Sequence, residues 1–175
     1  YDGSVSLPLV WNATDEEATR WYPADDAVPG RPVRMTRAID VAAPVETTWR
    51  WLCQLSEAPY SYDWIDNLGR RSPRTLTPGA ERIELGQTMA IVLRVTSFEA
   101  PHQWTGVTTP RGSKPFGAVA MTYAAEPAPA GSRIVARITA EAHGRPTRLR
   151  ALALAWGDLV MIRKQLRTLK RLAER

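Results

Sequence analysis

The sequence predicts an α+β fold in which a curved antiparallel sheet wraps around one long C-terminal α-helix. Two short helices are expected between the first and second strands. Three observations predict this. Five segments alternate apolar and polar residues at the period of half-buried strands. Residues 147–174 carry the longest helical periodicity in the chain. Between the first strand and the rest, two short segments carry helix start and stop signals.

Residues 1–32 are rich in Pro, Asp, Ala and Gly, with Trp11, Trp21 and Tyr22 interspersed. Thr14 stands three residues before Glu17, the spacing of a capping box, so a short helix is expected there. Three large aromatics are costly to leave in water, and this arm is therefore expected to pack on the domain formed by residues 33–175. Residues 33–42 read as the first strand, with Val33, Met35, Ile39 and Val41 roughly alternating. Pro44 suits the first turn of a helix, and Val45, Thr48, Trp49, Leu52 and Leu55 recur at helical spacing up to Pro59. Ser61 can cap a second helix over residues 62–68, which Gly69 ends.

Residues 86–98 then place Met89, Ile91, Leu93 and Val95 on one face, residues 102–109 form another strand, and residues 117–125 align Val119, Met121 and Tyr123. In residues 133–142, Ile134, Ala136, Ile138 and Ala140 alternate with Arg133, Arg137 and Glu141, which predicts one buried and one wet face. The final helix sets Leu149, Leu152, Trp156, Leu159, Val160, Leu166 and Leu169 on a stripe. At ~1.5 Å per residue it is about 40 Å long, enough to cross a sheet.

Composition narrows the function classes. Hydrophobic residues make up 44% and charged residues 23%, ordinary for a globular protein. The only cysteine is Cys53, so no internal disulfide forms and no metal site is expected. The apolar segment near Leu7 is too short and lacks a basic start, so a cytoplasmic location without a leader is expected. Residues 1–70 hold eleven acids against six arginines, whereas residues 144–175 hold nine cations against two acids. With no nucleic-acid motif beside it, this basic helix reads as a solvated face, and no nucleic-acid partner is expected.

The order of elements, with Arg37-Ala-Ile-Asp-Val-Ala-Ala-Pro44 leading into Val45-Glu-Thr-Thr-Trp-Arg-Trp-Leu52, resembles the START-like helix-grip superfamily, also called SRPBCC or Bet v 1-like. The stretch Tyr60-Ser-Tyr-Asp-Trp-Ile-Asp-Asn-Leu-Gly69 and the segment Trp11-Asn-Ala-Thr-Asp-Glu-Glu17 resemble its bacterial polyketide cyclase/dehydrase-like subgroup. The resemblance implies a cavity between sheet and C-terminal helix that holds a hydrophobic small molecule such as a lipid, a polyketide or an isoprenoid-like metabolite, without a cofactor. The alternative it implies is a cofactor-independent cyclase or dehydratase. A weaker alternative is an interaction module using the basic helix.

Candidate residues follow from that geometry. Tyr62, Asp63, Asp66, Asn67, Arg70 and Arg71 are the densest polar group, and helical spacing puts Asp63 and Asp66 on one face while Trp64, Ile65 and Leu68 can point inward. This is either a polar gate at a cavity mouth or an ordinary Asp66–Arg70 helix pair. Tyr62, Asp63, Asp66 and His143 are the acid/base candidates. Trp51, Trp64, Met89, Leu93, Trp104, Met121, Tyr123 and Trp156 are candidate cavity walls, or simply core. Arg94 is a candidate for an anionic ligand group, or a solvent residue if the Met89–Leu93 face points inward.

Overall fold

The computed structural model describes residues 7–110, 113 and 117–175. A single sheet runs in the order β1-β2-β7-β6-β5-β4-β3, from Val10–Trp11 (β1), Val33–Val41 (β2), Thr88–Met89 (β3), Leu93–Glu99 (β4), Gln103–Thr108 (β5), Val119–Ala128 (β6) and Gly131–Ala140 (β7). All neighbours are antiparallel except β1, which adds a parallel edge to β2. The last helix, α4 (Gly144–Ala173), lies against the concave face, which makes this the expected α+β helix-grip architecture.

Why the inner face packs is legible in the register. Met35 pairs with Ile138, Ile39 with Ile134, and Met121 with Ile138 on the other side of β7, so alternate positions of three strands form one apolar surface. Helix α2 (Val45–Cys53) closes one end with Trp49, Trp51 and Leu52. There Trp104 stacks on Tyr123 at 4.9 Å between ring centroids, and its indole N–H donates to Leu52 O at 3.3 Å.

The outer face departs from the expected wet surface. Residues 13–28 cover it: α1 (Asp15–Thr19) carries the capping box at Thr14 and Glu17, and Ala24 and Val28 pack on Ala120. Arg137 is consequently 1% exposed, with its guanidinium donating to the carbonyls of Glu17, Ala18 and Arg20 and lying 4.7 Å from the Tyr22 ring. Its charge answers carbonyls at the end of α1 that have no helical partner.

Three further expectations change. Residues 86–98 are two strands joined by a tight turn, in which Ala90 and Ile91 take φ of +44° and +69°. Ile91 therefore leaves the inner face and is 54% exposed. The second short helix, α3, is only Asp63–Asp66, because Leu68 and Gly69 turn left-handed and Gly69 N–H bonds back to Asp63 O. On α4 the buried positions include Ala151, Ala155, Leu159, Ile162, Gln165, Leu166 and Leu169, whereas Leu149, Trp156 and Val160 face water. Among the described residues, no helix is long and apolar enough to cross a membrane.

Candidate functional site

Most of the space between sheet and α4 is filled with side chains, except beside the middle of α4. A cavity of about 320 Å³ remains there, lined by Leu93, Met121 and Tyr123 of the sheet, the turn Ala90–Val92, Pro59 and Ser61, and Asp158, Met161, Ile162 and Gln165 of α4. Its apolar walls come from strand alternation and its polar groups from one side of the helix.

Those polar groups are tightly held. The Tyr123 hydroxyl donates to Gln165 Oε1 at 2.7 Å, and Gln165 Nε2 donates to Pro59 O at 2.7 Å. Asp158 faces Arg37 of β2, whose side chain is wholly buried, with Nη2 3.4 Å from Asp158 Oδ2. The guanidinium also donates to Leu9 O at 2.6 Å and Ala155 O at 3.3 Å. The ion pair lacks the alignment of a hydrogen bond, and Asp158 Oδ2 is left buried without a hydrogen-bond partner. Burial pushes the Asp158 carboxyl up to about 6, against the opposing pull of Arg37. Burial also raises the Tyr123 phenol well above its ordinary value and lowers the Arg37 guanidinium.

Asp158 and Met161 are shared with an open apolar groove of about 710 Å³ between α3 and α4. Tyr62, Trp64 and Ile65 form one side; Ala153, Leu154, Gly157 and Val160 form the other. A Cβ on Gly157 would meet nothing within 4 Å, so the missing side chain deepens the groove without being required by packing. Cavity and groove thus meet at Asp158, which places the mouth between α3, the Ala90–Val92 turn and the middle of α4.

The candidate residues divide sharply. Leu93, Met121 and Tyr123 line the cavity, while Tyr62 and Trp64 line the groove. Trp51, Met89 and Trp104 are buried in the core and line neither. Trp64 and Trp156 are 76% and 55% exposed rather than turned inward, and Arg94 is exposed on the side of β4 opposite Leu93 and Val95. For Trp64 the reason is that α3 is too short to set an inward stripe. For Trp156 it is that alanines bring α4 close to β2 and turn the larger side chains out.

Asp63 takes hydrogen bonds from Ser72 N–H at 3.0 Å and Ser72 Oγ–H, tying the loop after α3. The side chain of Asp66 lies outside what the structure describes. His143 is half exposed at the start of α4, with Nε2 3.7 Å from Glu141, and lines neither space. Among the described residues no group of three or more His, Cys, Asp or Glu could hold a metal ion.

Arg37, Asp158 and Gln165 escape an apolar-stripe reading because they are polar, yet they have a signal. Arg37 sits between Met35 and Ile39 at strand period. Asp158 and Gln165 continue Ala151, Ala155 and Ile162 at three- and four-residue spacing.

Residues 32–174 match the sequence model of the family described as Polyketide cyclase / dehydrase and lipid transport. No curated protein sequence matches the chain. Among solved structures, a protein from Rhodobacter sphaeroides is 16% identical with a TM-score of 0.54, over 82% of this chain and 94% of that one. A protein from Mesorhizobium loti is 17% identical with a TM-score of 0.50, over 79% and 95%. The di-domain ARO/CYC StfQ from the steffimycin biosynthetic pathway is 17% identical with a TM-score of 0.53, over 82% of this chain and 51% of that one. At these identities the likeness is one of fold.

Proposed function

We propose that this chain, which belongs to the polyketide cyclase/dehydrase and lipid transport family, binds a largely apolar small molecule with one hydrogen-bond donor group. The apolar body would occupy the cavity beneath Met121 and Leu93 and extend into the α3–α4 groove. The donor would meet Asp158 Oδ2. That buried oxygen, ion-paired with Arg37 but accepting no hydrogen bond, belongs to the residue that lines both cavity and groove and carries the reading, since a buried acceptor is costly until something hydrogen-bonds to it. A fluorescence titration with the neutral apolar probe N-phenyl-1-naphthylamine tests it. Saturable enhancement is expected for the wild-type chain and loss of it for Met121→Trp, which fills the cavity. Equal enhancement by both proteins would refute it.

A second reading is favoured by the Asp158 carboxyl, which burial pushes up to about 6 beside an apolar cavity. Asp158 could then remove a proton from a carbon next to a ligand carbonyl, with the Tyr123 hydroxyl turning from Gln165 Oε1 to donate to the carbonyl oxygen. This would make the chain a cofactor-independent cyclase or dehydratase. Incubation with an aromatic-forming poly-carbonyl compound, followed by absorbance of the ring product, separates the readings: turnover abolished by Asp158→Asn supports catalysis, and binding without turnover leaves the carrier role.

A further inference from the structure

Around the mouth, the surface combines two features. Trp64 and Ile65 of α3, Ile91 and Val92 at the β3–β4 turn, and Val160 of α4 are 76%, 52%, 54%, 42% and 55% exposed, an apolar rim contributed by three separate elements. Scattered exposed apolar residues are ordinary, but a contiguous rim marks a contact surface. Beside it, a cleft of about 190 Å³ shares Ser61 with the cavity and is lined by Arg74, Lys164, Arg171 and Arg175. Asp63 is the one carboxylate among the cleft's described lining residues, and it already serves Ser72. None of the four cations is paired with a described residue. Met161 of the groove and Lys164 of the cleft stand one turn apart on α4, so rim and cleft adjoin.

We infer that this face docks on an anionic lipid bilayer, the apolar rim entering the interfacial zone and the cationic cleft taking phosphate head groups. Amphipathic indole and branched aliphatic side chains flanked by arginine and lysine suit that zone. A second copy of the chain is disfavoured by charge: a symmetric contact would press residues 144–175, nine cations against two acids, onto themselves. Nucleic acid is disfavoured because Trp64 is the one aromatic in a rim otherwise made of Ile65, Ile91, Val92 and Val160, whereas single strands are held by a series of stacking platforms. Docking places the mouth of the cavity against the acyl chains. Transfer of a ligand from the membrane rests on the proposed binding function, whereas docking itself does not.

Co-sedimentation with vesicles of phosphatidylcholine and with mixed phosphatidylcholine–phosphatidylglycerol vesicles tests the inference. The expected result is binding to the mixed vesicles that weakens with added salt, and little binding to phosphatidylcholine alone. At about fivefold per surface cation, Lys164→Gln with Arg171→Gln weakens binding by roughly twentyfold or more. Trp64→Ser, at a site too exposed to disturb folding, weakens it as well, with an unchanged circular dichroism spectrum. Inorganic phosphate releases no more protein than chloride does at equal ionic strength. No preference for anionic vesicles, unaltered binding by the variants, greater displacement by inorganic phosphate than by chloride at equal ionic strength, or self-association that shields Trp64 would each overturn the inference. The Lys164→Gln/Arg171→Gln chain should still take up N-phenyl-1-naphthylamine, so failure of docking and failure of ligand binding read out separately.

Discussion

Arg37 on β2 and Asp158 on α4 face each other across the boundary between sheet and helix, with Nη2 3.4 Å from Oδ2 and the arginine side chain wholly buried. The pair lies next to the cavity, which Asp158 lines. Arg37 also reaches Leu9 O and Ala155 O, so one guanidinium links the N-terminal arm, the sheet and α4.

Breaking this pair from one side leaves a buried charge. Arg37→Met alone or Asp158→Leu alone is therefore expected to cost about 3–5 kcal/mol, while the double variant lies within about 2 kcal/mol of wild type. Urea unfolding of the four proteins supplies the cycle. Additive losses in the double variant would show that the two groups act independently.

The Asp158 carboxyl gives stability a definite pH dependence. Its ordinary value of 3.8 rises to about 6 on folding, so the folded chain holds this proton more tightly than the unfolded chain. The resulting stabilisation is fully present below the unfolded value and is lost as pH rises through the folded one. About 2–3 kcal/mol is at stake between about pH 4 and about pH 7. Asp158→Asn lacks the titration, so its stability relative to wild type should improve by that amount over the same interval. A constant difference between the two proteins would contradict the assignment.

Glu17 acts in the opposite sense. Partial burial pushes it up, but hydrogen bonds from Arg133 and Thr14 outweigh that and hold it below its ordinary value. Its stabilisation is present above the unfolded value and is lost as pH falls through the folded one. Amide hydrogen exchange should therefore show residues 13–20 loosening on acidification before β6 and β7 do, and Glu17→Gln should remove that early phase. Simultaneous loosening of all three in wild type would count against it.

At Gly131, φ is +133° and a Cβ would stand 2.7 Å from both Val41 O and Ala43 N. Gly131→Ala must therefore move the β6–β7 turn away from the link between β2 and α2. A loss of at least about 2 kcal/mol is expected, roughly 5 °C in the melting temperature of a chain this size. A melting temperature within a degree or so of wild type would show that the turn gives way freely.

The fold was legible because strand and helix periods are written in large apolar residues: Ile134, Ile138, Met121 and Tyr123 announce their face, and Pro44 announces the start of α2. The phase of α4 was legible only in part: Leu159, Leu166 and Leu169 are buried as expected, but in the first half of the helix the buried positions are Ala151 and Ala155, while Trp156 and Val160 draw the eye to the wrong side. Small residues permit close approach and leave little trace in a hydrophobicity pattern. The same bias hid Arg37 and Asp158, whose charge argues for water until the partner on another element is known. Arg137 was misplaced for a related reason: its cover comes from the arm, more than a hundred residues earlier in the chain.

Occupation of the space between Met121 and Asp158 is the claim on which the functional account depends. Titrating N-phenyl-1-naphthylamine into isotopically labelled protein while following methyl resonances tests it directly. The account predicts saturable shifts concentrated at Leu93, Met121, Met161 and Ile162, and their loss in Met121→Trp. Shifts confined to surface residues such as Leu149 and Leu85, or shifts that survive Met121→Trp, would contradict it.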